Sequence, residues 1–205
     1  MKRWVIIPVK KFTAAKSRLR PALGERRRRL LARALLEHTL KTVRALKGVE
    51  GILVVSKDRA AHSIAEAFGA GFVREGECDG LNRALTRASK EAVRRGAEAV
   101  MVLPADLPLL RRRDLELAMK WGRRPPFAVI APDRADWGTN LLYIAPSGVV
   151  DFTFGEGSFT KHLRSAHRNK IRVKVLRIPT VAQDIDCPED LSALLHSIPG
   201  RPLLL

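Results

Sequence analysis

Short apolar runs alternate with amphipathic stretches along this chain, and that rhythm predicts most of its elements. Arg3–Val9 (RWVIIPV) reads as a first strand. Residues 25–47 repeat Leu31, Leu35, Leu36, Leu40, Val43 and Leu46 at three- and four-residue spacings, a helix that Gly48 stops. Residues 51–56 (GILVVS) form a second strand, Asp58 caps a helix running to Phe68, and Gly71–Arg74 is a short third strand. Residues 78–82 (CDGLN) lead into a helix on Leu81, Leu85, Ala88 and Ala92, ended by Gly96. The unbroken apolar run Val100, Met101, Val102 and Leu103 is of the kind buried on both faces of a parallel sheet, and a helix follows over Arg112–Trp121. The order so far is β-α-β-α-β-α-β-α with short connections. It predicts an α/β fold, a mostly parallel sheet with helices on both faces.

Beyond Gly122 the rhythm changes. Residues 127–131 (FAVIA) and 141–145 read as strands flanking a polar loop, PDRADWGTN over 132–140, a setting in which function concentrates. The segment FTFGEGS, 152–158, carries two glycines ahead of a helix capped by Ser158 and running to about His167; such an opening presents free N–H groups to an anion. Residues 171–178 (IRVKVLRI) alternate as a half-exposed strand. Pro188, with Glu189 and Asp190 in the first turn, starts a last helix.

Length and composition narrow the class. A chain of 205 residues suits one domain, 1–205, and 46% hydrophobic content without low-complexity tracts argues against disorder. No apolar run reaches the roughly 18 residues of a membrane span, and the six largely apolar residues after the basic start are too few for a secretory signal. A cytoplasmic protein is expected. Cys78 and Cys187 have neither zinc-ligand spacing nor the look of a disulfide framework. The 38 Lys and Arg against 21 Asp and Glu give a charge of +17, which favours polyanionic partners: nucleic acid, an acidic membrane surface or small phosphorylated ligands. The arginine runs 26–29 and 111–113 read as solvated helix faces. Few aromatics and no stacking pattern leave a nucleic-acid-binding module as the weaker reading. The apolar end Pro202–Leu205 is compatible with packing on a second subunit, as in a homodimer, and equally with a disordered tail.

Candidate chemistry gathers where strands end. Pro104 and Pro108 bracket Asp106 just past the apolar run, where open α/β sheets bind ligands. An ionised carboxylate there needs a partner: a hard cation such as Mg²⁺, or its own turn amides. After the first strand, Lys10, Lys11, Lys16, Arg18 and Arg20 fall within eleven positions with no glycine until Gly24. Charged side chains, rather than a nest of amides, would therefore hold phosphates. Asp184 and Asp186, two apart in extended chain, point the same way and could share a cation with Asp106; their mutual repulsion disfavours them without one.

In combination, VIIPVKKFTAAKSRL, LPADLPLL, APDRADWGTNLLY, FGEGSFTKH and DIDCPEDL resemble the 2-phospho-L-lactate guanylyltransferase family of deazaflavin coenzyme biosynthesis, in order through the whole chain. More broadly the chain is similar to nucleotidyltransferases with the sheet of nucleotide-diphospho-sugar transferases, the glycosyltransferase-A-like architecture. Those usually open with a glycine-rich loop, in whose place this chain has Pro8-Val9-Lys10. The resemblance implies condensation of GTP with 2-phospho-L-lactate and release of pyrophosphate, with Mg²⁺, for which Asp106, Asp184 and Asp186 are the candidate ligands, the choice between the last two left open. It implies Lys16 and Arg18, beside Lys10, on the triphosphate, and Asn82 near the nucleoside. Thr139, Gly155 and Ser158 would lie on the acceptor phosphate, and Lys16 and Asp106 would be catalytic. Phosphoenolpyruvate or another three-carbon phosphate is the alternative acceptor. No nucleic-acid partner is expected.

Overall fold

Seven strands hydrogen-bond into one sheet: β1 (Arg3–Val9), β2 (Val49–Ser56), β3 (Gly71–Arg74), β4 (Ala99–Val102), β5 (Phe127–Pro132), β6 (Thr139–Ala145) and β7 (Arg172–Val175), in the order β3-β2-β1-β4-β6-β5-β7. The computed structural model describes residues 1–76 and 80–197. Cys78 and Asp79 of the CDGLN segment, and the Pro202–Leu205 end, lie outside the described residues. All pairings are parallel except those of β6, which runs antiparallel to both β4 and β5. The helices are α1 (Glu25–Arg44), α2 (Arg59–Ala67), α3 (Leu81–Arg94), α4 (Arg112–Trp121), α5 (Ser158–Arg168), α6 (Pro179–Ala182) and α7 (Pro188–Ser197).

The period-2 alternation of the strands sorts the core into two layers. Val5, Ile7, Val54 and Met101 face Leu36, Leu40 and Val43 of α1, Ile64 of α2 and Leu115 of α4. Ile6, Leu53, Val55, Val100 and Val102 face Leu85 and Ala88 of α3 and Phe159 of α5. Helices thus cover both faces, as the alternation predicts. A third, smaller cluster packs Leu191 and Leu194 of α7, with Ile185, on Leu19, Leu23, Leu31 and Leu35. It pins the segment 184–186 over the first half of α1.

Boundaries differ from the sequence reading at four places, each for a local reason. α1 ends at Arg44, and β2 starts at Val49 because the left-handed Gly48 (φ 79°) turns the chain directly into the sheet. β6 begins at Thr139 rather than 141, since Thr139 already pairs with Pro132. β7 stops at Val175: Leu176 N–H still reaches Ile130 O, but Pro132 has no N–H with which to continue the ladder. The chain then turns into α6, which the pattern did not predict. Ser158 is not the cap of α5; Gly157, left-handed at φ 63°, occupies that position, and Ser158 is the first helical residue. Asp58 is the cap expected, its carboxylate accepting from Ala60 N–H.

The arginine runs mostly face solvent, Arg28 excepted. Its buried guanidinium donates to Leu23 O at 2.9 Å, which ties α1 to the loop before it.

Candidate functional site

The reversed strand decides what meets at the sheet's edge. β1 and β4 run parallel and deliver Lys10 and Asp106 just past their carboxyl ends; β6, antiparallel to β4, brings its own first residue, Thr139, to the same edge. A cavity of about 830 Å³ opens there, lined by Lys10, Lys16, Arg18, Asp106, Thr139, Gly155, Ser158, Asp184 and Asp186. Of the residues expected from the sequence to serve one site, Asn82 is absent from this lining, as are Lys11 and Arg20 of the basic loop.

Carboxylates and one ammonium form the centre. Carboxylate oxygens of Asp106, Asp184 and Asp186 all lie within 4.8 Å of one another. Asp106 O accepts from Ile185 N–H at 3.3 Å, which ties the two acidic segments together. Asp190 supports the second segment by accepting from the N–H groups of Asp186 (3.0 Å) and Cys187 (2.9 Å) at the start of α7. Lys16 donates to Asp106 Oδ2 at 3.0 Å and to Asp186 Oδ1 at 3.2 Å, with only 8% of its side chain exposed. Its backbone is left-handed (φ 55°), a conformation that costs a lysine about 1–2 kcal/mol and that aims the side chain from the basic loop at the carboxylates.

The charges perturb one another as this geometry requires. Burial pulls the Lys16 pKa down, but the attraction of Asp106 and Asp186 and their hydrogen bonds outweigh it and leave the ammonium above the usual lysine range. Asp184 is pushed up to about 6, first by burial and then by the like charges of Asp106 and Asp186. Three hard oxygen donors this close suit a small divalent cation such as Mg²⁺.

The other wall is built from two loops. Asp133 accepts from the N–H groups of Ala135 (3.1 Å), Trp137 (2.9 Å) and Gly138 (2.7 Å), which folds the polar loop around one carboxylate. A Cβ on Gly138 would fall 2.6 Å from Asp133 Oδ2, so only glycine fits there. The second loop, 152–157, is latched to α3: Asn82 Nδ2 donates to Phe154 O at 3.0 Å, and Asn82 Oδ1 accepts from Phe154 N–H at 2.8 Å. Both ends of the amide are thus engaged by backbone. Asn82 holds the Gly155 loop in place rather than pointing into the cavity.

Three residues escaped the sequence reading. Glu75 lines the cavity one residue past β3, the same relation to a strand end that singled out Asp106. Trp137 stands 56% exposed at the rim. His162, the last residue of FGEGSFTKH, is fully buried with Nδ1 2.9 Å from Thr139 Oγ1; only the fold joins positions 139 and 162.

Comparison with known proteins agrees with this architecture. Residues 3–200 match the family model described as "Guanylyl transferase CofC like". The chain belongs to this guanylyltransferase family. A phosphoenolpyruvate guanylyltransferase of Rubrobacter xylanophilus is 41% identical over 95% of this chain and 94% of its own length. A 3-phospho-D-glycerate guanylyltransferase of Colwellia psychrerythraea is 30% identical over 95% and 91%. Among solved structures, a Desulfovibrio desulfuricans protein assigned to the nucleotide-diphospho-sugar transferases superposes with a TM-score of 0.78 at 18% identity, covering 98% of this chain and 89% of the other. The 4-diphosphocytidyl-2C-methyl-D-erythritol synthase of Anaerococcus prevotii superposes at 0.65 and 16% identity, covering 95% and 96%. At these identities the superpositions establish the fold alone, that of nucleotidyltransferases and nucleotide-diphospho-sugar transferases. Membership of the guanylyltransferase family makes the chain a nucleotidyltransferase. Among its described residues no helix is long and apolar enough to cross a membrane.

Proposed function

We propose that this CofC-like guanylyltransferase moves the guanylyl group of GTP onto the phosphate of a three-carbon phosphorylated acid, with phosphoenolpyruvate as the acceptor. The observation that carries the reading is the pairing of opposite charges at one sheet edge. Three carboxylates gather within 4.8 Å beside the buried Lys16, with Lys10 and Arg18 on the same cavity. The motif resemblance implies 2-phospho-L-lactate. The relatives described above are named for phosphoenolpyruvate and 3-phospho-D-glycerate instead, and the more similar of the two favours phosphoenolpyruvate.

In this reaction an acceptor phosphate oxygen bonds to the α-phosphorus of GTP as the bond from that phosphorus to the bridging β-oxygen breaks, and pyrophosphate leaves with that electron pair. A phosphate monoester is already anionic at neutral pH, so no strong general base is required; the work is to neutralise and align two polyanions. Lys10, Lys16 and Arg18 meet the triphosphate, and Thr139, Gly155 and Ser158 meet the acceptor. Asp106, Asp184 and Asp186 would hold Mg²⁺, which when bound supplies positive charge against the developing charge on phosphate oxygens.

Pyrophosphate release by the purified protein with GTP and Mg²⁺ tests this, with phosphoenolpyruvate, 3-phospho-D-glycerate and 2-phospho-L-lactate in separate reactions and ATP as a control for the base. Fastest release with phosphoenolpyruvate and GTP is expected. Fastest release with 2-phospho-L-lactate would overturn the acceptor, and release with none of the three would overturn the reaction.

A further inference from the structure

A buried histidine lies against the hydroxyl of Thr139 on the cavity wall. His162 is fully buried on α5, and its two ring nitrogens have different partners: Nε2 lies 3.1 Å from the backbone nitrogen of Thr153, and Nδ1 lies 2.9 Å from Thr139 Oγ1. A backbone N–H can only donate, so Nε2 accepts and carries no proton. Burial holds the imidazole's pKa down, to about 4, against the smaller opposing pull of Asp151, so the ring bears a single proton at neutral pH. That proton is therefore on Nδ1, where it points at Thr139 Oγ1. The threonine oxygen accepts, and its own O–H must be directed elsewhere. Among the described residues that hydroxyl has no second partner, and Thr139 lines the cavity.

We propose that His162, in its Nδ1–H tautomer, is a positioning residue that fixes the Thr139 hydroxyl as a hydrogen-bond donor to the acceptor subsite. The subsite then takes an oxygen that can only accept, on a carboxylate or an ionised phosphate. A neutral histidine suits this role better than a cation would. It orients the donor without pairing with the substrate, whereas the Nε2–H tautomer would set two N–H groups against each other at Thr153 and release Thr139 to rotate. The inference rests on the reading of Thr139 as an acceptor contact, and the tests separate the two.

Two-bond ¹H–¹⁵N correlation spectra of labelled protein at neutral pH read the tautomer directly, with His162→Gln identifying the signals among the five histidines. The expected result is a protonated Nδ1 and a bare Nε2. A proton on Nε2, or on both nitrogens, would overturn the proposal. Initial rates with phosphoenolpyruvate varied test the consequence. His162→Gln can still receive Thr153 N–H through its side-chain oxygen but leaves the Thr139 hydroxyl undirected. It should raise the acceptor KM about tenfold, with the KM for GTP and the melting temperature little changed. An equal rise in both KM values, or none, would mean that His162 serves packing only. Thr139→Val should raise the acceptor KM at least as much. If it does not while Nδ1 carries the proton, the tautomer stands and the subsite assignment falls.

Discussion

Asp106 shows how far one residue can be read without neighbours. Two prolines and an apolar run place it at a strand end, and the fold adds what sequence spacing cannot: a lysine 90 positions away within 3.0 Å. Replacing it with Asn removes a charge from the cluster without removing volume. We expect Asp106→Asn to lower pyrophosphate release at least about a hundredfold while leaving circular dichroism and the melting transition close to the parent. Asp184 makes a pH-dependent prediction. Its pKa is raised above the unfolded value, to about 6, so its ionisation in the folded state costs nothing near pH 4 and its full penalty above about pH 6. In chelator, Asp184→Asn should therefore melt above the parent at pH 8, and the gap should shrink as the pH approaches 4. A gap that widens toward acid would contradict the burial and like-charge origin of the shift. The pair Asp184 and Asp186 was legible from its spacing. The contact between Thr139 and His162 was not, because it joins a strand to a helix across a loop.

At the scale of elements, the helix starts and strand ends were legible where a single side chain or backbone group decides them. Asp58 caps α2 and also accepts from Phe12 N–H at 2.7 Å, so one carboxylate fixes both a helix and the entry to the basic loop. Asp58→Ala should cost about 1–2 kcal/mol, read as a lower urea midpoint with an unchanged slope; Asp58→Asn, with one acceptor oxygen where the carboxylate uses two, should recover only part of it. Ser158 misled because a hydroxyl next to two glycines looks like a cap. The left-handed Gly157 takes that place and leaves Ser158 on the cavity wall. β7 misled in another way: its alternation continues past the sheet, and its end is set by Pro132 on the neighbouring strand, a fact about pairing rather than about residues 172–178. Asn82 belongs here too. In sequence it is a polar residue at a helix start; in the fold its amide spans the two backbone groups of Phe154 and positions a loop.

Over the whole molecule, a charge of +17 surrounds a cavity that concentrates three carboxylates. A cationic surface of this kind draws polyanions toward the site, so kcat/KM for GTP should fall several-fold between ~50 and ~300 mM KCl, with kcat changing less. A salt-independent kcat/KM would show that the arginine-rich faces do not steer substrate. Most of the elements and the parallel half of the sheet were readable from the chain alone, because they follow from periodicity, prolines and turn residues, all local properties; the class of chemistry came from motifs that resemble a known family. That β6 runs backwards, bringing Thr139 to the edge where β1 and β4 end, and that Lys16 lies between Asp106 and Asp186, emerges with the packed fold. Strand direction and side-chain meeting are settled by which segments pack together, and segments up to 170 residues apart carry no mark of it in their order.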